Sequence, residues 1–228
     1  MPSIDVTAQP SKIAVPGHGH VSTLLMVPPD AHAAFVFAHG AGAGMHHSFM
    51  AALAGALAER GIATLRFQFP FMENGSKRPD VPAVAQATVR AAVAEARRRL
   101  PGVPLFAGGK SFGGRMSSQA QAESVLEGVS GLIFVGFPLH PAGKPDVTRA
   151  AHLGEVQCPM LFLQGTRDAL AELPLLRSVL EPLGARASLA VFDDADHAFH
   201  VRVRSGTTDA AVLLALADRI EAWVGSTR

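Results

Sequence analysis

The sequence predicts an α/β fold, a doubly wound and mostly parallel sheet flanked by helices, without a cap domain. Short apolar runs alternate along the chain with longer stretches in which apolar residues recur at helical spacing. The apolar runs are nearly continuous, which is typical of parallel strands buried on both faces. The chain has 228 residues, the size of one α/β domain, so we expect a single domain over residues 1–228.

Seven runs are predicted as strands because each is short and stops at a glycine, a proline or a polar turn. They are residues 21–27, 33–38, 62–69, 103–108, 131–137, 159–164 and 187–192. Helical spacing predicts helices over residues 48–60, 83–100, 113–125, 172–183 and 208–224. Gly61 ends the first helix, and the basic run Arg97–Arg99 suits the negative end of the second. Chemistry in such folds gathers at the carboxyl ends of the strands.

The composition argues against several classes of function. Twenty basic and nineteen acidic residues leave a formal charge of +1, which gives no electrostatic reason to expect nucleic acid or an anionic membrane as partner. Cys158 is the only cysteine, so an internal disulfide and a Cys-rich zinc site are excluded. The first residues do not resemble a secretory signal, and no apolar run reaches the roughly 18 residues of a membrane span. We expect a cytoplasmic protein without cofactor or metal.

The strongest motif is Gly109–Gly113 (Gly-Lys-Ser-Phe-Gly), which directly follows a predicted strand and precedes a predicted helix. In that setting the motif is typical of a nucleophile elbow, a sharp turn that exposes the hydroxyl of Ser111. Glycine is needed two residues before and after the serine because larger side chains would collide. A plain glycine turn is the alternative. A phosphate-binding P-loop is rejected because Pro104 stands where its first glycine belongs.

A second glycine-rich stretch, His39–Gly44 (His-Gly-Ala-Gly-Ala-Gly), follows another predicted strand. A loop with so few side chains lets a backbone N–H approach a developing negative charge. We predict that the N–H groups of Ala41 and Phe112 form an oxyanion hole. A dinucleotide-binding loop is the alternative, but Met45 stands where its third glycine belongs. His39 is expected to organise the loop and not to act as the base.

Two more strand ends supply an acid and a base. Asp168 follows the strand 159–164, where a carboxylate can orient a histidine, although a solvated loop aspartate is the alternative. His197 follows the last predicted strand, at a position from which a general base can reach Ser111. His200 is its nearest rival. We predict a catalytic triad of Ser111, Asp168 and His197.

The chain order of these three residues is that of the α/β-hydrolases, and the sequence resembles a small member of that superfamily over nearly its whole length. The stretches that carry the resemblance are His39–Gly44, Arg66–Pro70, Gly109–Met116 and Gly165–Asp168. They are similar to a capless branch related to dienelactone hydrolases and to the hydrolase-like subunit of the non-specific-lethal chromatin complex. True dienelactone hydrolases use a cysteine nucleophile, whereas this chain has Ser111.

The triad predicts a serine hydrolase that cleaves ester bonds of a small acyl substrate through an acyl-enzyme intermediate. Residues 138–152 leave no room for a helical cap before the next strand, so an open, shallow site is expected. Apolar residues near the strand ends are predicted to form its walls, with ordinary core packing as the alternative; they are Phe69, Phe71, Met72, Phe137 and Leu139. Esterase, thioesterase and peptidase chemistry use the same machinery and are not separated by the sequence.

Two predictions from other classes compete with a hydrolase. One is a non-catalytic scaffold that retains the hydrolase fold to bind a partner protein, against which the intact triad argues. The other is a metal enzyme that uses His18 and His20, or His46 and His47. Neither histidine pair has an acidic residue at a familiar metal-binding spacing, so this alternative is disfavoured. The oligomeric state is not predicted.

Overall fold

The computed structural model describes residues 7–227, and its centre is an eight-stranded sheet. The strands are Gln9–Ala14 (β1), His20–Met26 (β2), Ala33–Ala38 (β3), Ile62–Phe67 (β4), Leu105–Lys110 (β5), Val129–Val135 (β6), Met160–Gly165 (β7) and Ala187–Phe192 (β8). Their order across the sheet is β1-β2-β4-β3-β5-β6-β7-β8. The neighbours from β4 to β8 pair in parallel, while β2 pairs antiparallel with both β1 and β4.

Helices cover both faces of the sheet. They are Ser48–Ala58 (α1), Pro70–Glu73 (α2), Pro82–Arg99 (α3), Phe112–Glu123 (α4), Leu173–Leu180 (α5) and Asp209–Ser226 (α6). Leu53 of α1 and Leu216 of α6 belong to the hydrophobic core on one face. Val89 of α3, Met116 of α4 and Leu176 of α5 belong to the core on the other face. The predicted doubly wound α/β fold is therefore confirmed.

The central strands are buried as their apolar sequences predict. Every residue of β3, β4 and β7 is buried, because parallel strands with helices on both faces have no solvent-facing side. The edge strand β1 was not predicted from the sequence. In β1 only Ile13 is fully buried, and Pro10 lies in the strand, which an edge position tolerates. A polar, half-exposed edge strand gives no continuous apolar run to recognise.

A short connection replaces a cap domain between β6 and β7. Its regular part is a 3₁₀ helix, Thr148–Glu155, which packs on α4 through buried residues such as Leu153. The absence of a cap over residues 136–159 is as predicted. The predicted helix 172–183 is divided in the structure into α5 and a second 3₁₀ helix, Glu181–Arg186. Gly184, inside this second element, has a φ of 56°, which kinks the chain shortly before β8.

The order of the strands sets the place of the site. Strands β3, β5, β7 and β8 are parallel, so their carboxyl ends meet at one edge of the sheet. The segments that follow them begin at His39, Ser111, Thr166 and Asp193. These are the four segments on which the sequence places the oxyanion loop, the nucleophile, the acid and the base.

Candidate active site

Ser111 lies at a sharp turn between β5 and α4. Its φ of 51° and ψ of −114° are unusual for a residue with a side chain, and such strain concentrates at functional sites. The turn is held from both sides. The N–H of Ser111 donates to the carbonyl of Val135 at 3.2 Å, and its carbonyl accepts the N–H of Arg115 at 3.1 Å. This geometry lifts the hydroxyl out of the sheet edge.

The glycines on either side of Ser111 are required by close backbone contacts. A Cβ atom at Gly113 would lie 2.6 Å from the Cβ of Ala38 and from the carbonyl oxygen of His39. A Cβ atom at Gly109 would come closer still to the carbonyl oxygen of Ala38. Real Cβ atoms do not approach so closely, because the repulsion is steep. The two glycines thus let β5 and α4 pass directly against the end of β3.

Ser111, His197 and Asp168 form one hydrogen-bonded chain. His197 Nε2 lies 2.9 Å from Ser111 Oγ, and His197 Nδ1 lies 2.7 Å from Asp168 Oδ2. A carboxylate only accepts, so Nδ1 carries the proton and Nε2 is left to accept the serine hydroxyl proton. The structure therefore brings together the three residues that the sequence predicts as the triad.

Asp168 is buried and held by groups of its own segment. Its Oδ2 also accepts a hydrogen bond from Gln164 Nε2 at 2.5 Å, and its Oδ1 accepts the N–H of Leu170 at 2.8 Å. Gln164 Oε1 in turn accepts the N–H of Phe137 at 3.2 Å. Gln164 thus ties the acid to the end of β6. Its role was not predicted, although a fully buried polar residue at the end of an apolar strand is a recognisable signal.

A cavity of about 390 Å³ opens beside Ser111 and His197. Its lining comes from the loop after β3, the start of α1, the turn at Ser111 and the loops that carry Asp168 and His197. The other lining residues are Gly40, Ala41, Gly42, Ala43, His47, Phe49, Met50, Lys110, Leu170 and Ala198. Most of this surface is apolar, and Lys110 and the two histidines are its ionisable groups. The cavity can hold a small apolar acyl group next to the serine hydroxyl.

The residues predicted as cavity walls lie elsewhere. Phe71, Phe137 and Leu139 are buried in the hydrophobic core, and Met72 packs partly buried against it. Phe69 is buried with them. None of the five lines the cavity, so the predicted walls are replaced by the residues from α1 and from the loops. Apolar character near a strand end indicates burial, but it does not tell a packed side chain from one that faces a cavity.

The predicted oxyanion donors belong to the loop after β3 and to the start of α4. Ala41 lines the cavity, and Phe112 is the first residue of α4, where N–H groups have no intrahelical acceptor. Within residues 7–227, no backbone carbonyl accepts the N–H of Ala41 or Phe112. Both amides are thus available for a ligand, and their role in binding an oxyanion stays a prediction.

His39 organises the loop and does not reach the triad. Its ring is fully buried, with Nδ1 bonded to the carbonyl of Gly40 at 2.8 Å and Nε2 accepting the N–H of Phe69 at 3.0 Å. These partners require a neutral ring with the proton on Nδ1. Burial lowers the pKa of His39 to about 4, although the bonds to Gly40 and Ala43 oppose this shift. His39 is a neutral anchor at physiological pH.

Two residues at the end of β4 hold the other end of this loop. Gln68 Oε1 accepts the N–H of Met45 at 2.9 Å, and the buried Arg66 donates from Nη1 to the carbonyl of Met45 at 3.0 Å. Gly44 is needed beside them, since its Cβ would lie 2.6 Å from Gln68 Oε1. Arg66 and Gln68 belong to a stretch that carries the family resemblance, but their contact with Met45 was not predicted. An arginine inside an apolar strand is the signal that points to such a partner.

Lys110 is half-buried beside the triad. Its Nζ donates to the carbonyl oxygen of His197 and lies 5.4 Å from the centre of the Phe199 ring. Burial lowers the pKa of Lys110 to about 8, opposed by the charges of Asp168 and Asp196. The sequence left the role of this residue open.

Other features of the described chain bear on the remaining predictions. His47 caps the start of α1 through its side chain, and no three His, Cys, Asp or Glu residues within 7–227 are grouped as a metal site would need. None of the helices in that range combines the length and apolar character that crossing a bilayer demands.

Comparisons with known proteins agree with this architecture. A family model described as an alpha/beta hydrolase domain matches residues 31–225. The chain is similar to a lidless α/β serine hydrolase from Xanthomonas campestris, with 25% identity, a TM-score of 0.74 and 98% of each chain covered. It is also similar to a dienelactone hydrolase from Anabaena variabilis, with 21% identity, a TM-score of 0.75, and 97% of this chain and 98% of that one covered.

A third similar structure is the esterase domain of a Rhodothermus marinus protein, with 16% identity, a TM-score of 0.71, and 95% of this chain and 97% of that one covered. At such identities the likeness to the dienelactone hydrolase and to the esterase concerns the fold. The match of the family model over most of the chain, together with the lidless relative, supports a hydrolase. The chain belongs to the α/β-hydrolase superfamily, in its small capless branch.

Proposed function

We propose that this protein is a serine hydrolase that cleaves carboxylester or thioester bonds of small acyl substrates. One observation carries the proposal: Ser111 Oγ, the His197 ring and the Asp168 carboxylate are joined by hydrogen bonds of 2.9 and 2.7 Å at the mouth of a cavity. A serine hydroxyl that merely stabilised the fold would not need a strained backbone at Ser111 or a neighbouring cavity. The proposal is further supported by the 25% identical lidless serine hydrolase.

In the first half of the reaction, Ser111 Oγ attacks the acyl carbonyl carbon while His197 Nε2 takes the hydroxyl proton. The carbonyl π electrons move to oxygen, and the N–H groups of Ala41 and Phe112 stabilise that oxyanion. Loss of one such donor typically costs on the order of 3 kcal/mol of transition-state stabilisation. The bond to the leaving alcohol or thiol then breaks, and His197 donates its proton to the departing atom. An acyl-enzyme on Ser111 remains.

In the second half, His197 removes a proton from water, which attacks the acyl carbon. The bond to Ser111 Oγ breaks, His197 returns the proton to Oγ, and the carboxylic acid leaves. Asp168 stabilises the imidazolium in both halves and keeps the proton on Nδ1. Because the N–H of Leu170 and the amide of Gln164 hold the carboxylate, it need not reorganise as the charge forms.

The substrate class follows from the size and lining of the cavity. About 390 Å³ is near the lower end for small-molecule sites, and side chains such as Phe49, Met50 and Leu170 favour an apolar acyl chain. No cap encloses the leaving group, so larger alcohols or thiols can extend into solvent. We expect short acyl esters to be better substrates than long ones.

The experiment compares wild type with Ser111→Ala on short-chain p-nitrophenyl esters, acyl thioesters and peptides, and measures labelling by a fluorophosphonate. Ser111→Ala is expected to abolish turnover and labelling without changing the thermal melt. Ser178→Ala, at an exposed serine whose hydroxyl bonds only within α5, is the matched control and is expected to act like wild type. A folded wild type that resists labelling and hydrolyses none of these substrates would instead support the binding scaffold.

A further inference from the structure

Lys110 links the nucleophile to the loop that carries the base. It directly precedes Ser111 in the chain, yet its ammonium group bonds to the backbone carbonyl of His197, 87 residues away. Gly136, at the end of β6, makes room for this contact. A Cβ atom there would lie 3.1 Å from Lys110 Nζ and 3.5 Å from the His197 ring. The ammonium group therefore sits beside the imidazole as well as beneath its backbone.

The loop that Lys110 holds is strained and needs support. Phe199, two residues after His197, has a φ of 64°, which is costly for an aromatic residue. Lys110 Nζ lies over its ring at 5.4 Å, a cation–π geometry. On its other side the loop is closed by Asp196, whose Oδ1 accepts the N–H groups of Ala198 and His200 at 2.8 and 3.0 Å. Lys110 is thus the link between this loop and the elbow.

We propose that Lys110 is a positioning residue that fixes His197 against Ser111. This role rests on the proposed serine hydrolase function. Neither the motif Gly-x-Ser-x-Gly nor the triad by itself requires a lysine at this position.

The test measures kcat and KM for Lys110→Met, with Lys110→Arg as the variant that keeps the charge and a donor. Lys144→Met, at an exposed lysine, is the matched control. In Lys110→Met we expect kcat to fall up to about 100-fold with KM little changed, the scale of small misplacements of reacting groups. Lys110→Arg should restore kcat.

The outcomes separate this proposal from the one on which it rests. A folded Lys110→Met enzyme whose kcat and KM match those of Lys144→Met would overturn the role of Lys110, and so would a loss of kcat that Lys110→Arg does not restore, which signals lost packing alone. If the methionine variant does not fold, Lys110→Gln gives the same neutral comparison with a polar side chain. If wild type itself fails to label and to hydrolyse esters, the hydrolase function falls, and the role of Lys110 falls with it.

Discussion

His197 and His200, three residues apart in the chain, each pair with an aspartate. The two histidine–carboxylate pairs differ mainly in their surroundings. His197 Nδ1 is 2.7 Å from Asp168, and His200 Nδ1 is 2.8 Å from Asp209. The side chains of the first pair are 26% and 0% exposed, and those of the second pair are 63% and 57% exposed. By distance alone the two pairs are equivalent. The environment and the third partner distinguish them.

The third partner of the first pair is Ser111, which bonds to the free ring nitrogen of His197. The second ring nitrogen of His200 faces water instead. A buried carboxylate fixes the tautomer of its histidine, because no water competes for the proton. In an exposed pair, water and salt screen the attraction. The comparison teaches that a histidine–carboxylate distance identifies a base only together with burial of the acid and a nucleophile on the second nitrogen.

The largest expected difference in kcat is between His197→Gln and His200→Gln. Removing the base of a serine triad typically lowers kcat by about 10⁶-fold, since the hydroxyl is then no longer activated. His200→Gln changes an exposed side chain outside the cavity and should leave kcat within about twofold of wild type. Steady-state hydrolysis of a short p-nitrophenyl ester measures both. Comparable losses in the two variants would mean that the base was assigned to the wrong histidine.

The next difference is between Asp168→Asn and Asp209→Asn. An asparagine at 168 keeps the shape but stabilises the wrong tautomer of His197, and we expect kcat to fall by about 10⁴-fold. Asp209→Asn also loses a charge next to a histidine, but that histidine carries no proton for the reaction, so activity should be unchanged. The melting temperatures of both variants show whether a loss comes from the chemistry or from unfolding. Normal turnover by folded Asp168→Asn would remove Asp168 from the triad.

The smallest effect concerns pH and the exposed pair. The hydrogen bond and charge of Asp209 raise the pKa of His200 above its ordinary value near 6.5, and the same contact with His200 lowers the pKa of Asp209. A raised histidine pKa stabilises the fold below the unfolded pKa, and this stability is lost as pH rises through the folded value. The Asp209 contribution is lost as pH falls through its lowered pKa.

The His200–Asp209 pair therefore stabilises the fold most in mildly acidic solution. The melting temperature of wild type minus that of His200→Gln should be larger near pH 5.5 than at a pH above the raised pKa of His200. Buried histidines such as His39 are present in both proteins and cancel in the difference. A difference that grows toward alkaline pH would have the wrong sign and would show that the ion pair does not form in solution.

Much of the architecture and of the candidate site could be predicted from the sequence. Continuous apolar runs such as β3 and β7 report burial on both faces, and glycines at 109 and 113 report a turn too tight for side chains. Parallel topology then places the ends of these strands together, which is why Asp168 and His197 could be selected among many acids and histidines. The edge strand β1 was missed because its exposed residues follow no apolar pattern.

The surroundings of the site could not be predicted. Phe71, Phe137 and Leu139 are as apolar as Phe49 and Leu170, but the first three fill the core and the last two face the cavity. Hydrophobicity measures the free energy of leaving water and carries no direction. The bond of Gln68 to Met45 and that of Lys110 to the carbonyl of His197 join residues distant in the chain, and they follow from the packed arrangement of the loops.

The order of residues along this chain thus determined the layered sheet, the strained turn at Ser111 and the three strand ends that carry Asp168, His197 and the glycine-rich loop His39–Gly44. Steric and hydrophobic constraints act on neighbours in sequence, which is why these features are readable there. The tertiary structure decided which histidine meets the hydroxyl, which side chains line the cavity and what Lys110 holds. Those features depend on distances of a few ångströms between separate segments, which are set only when the two cores pack on either face of the sheet.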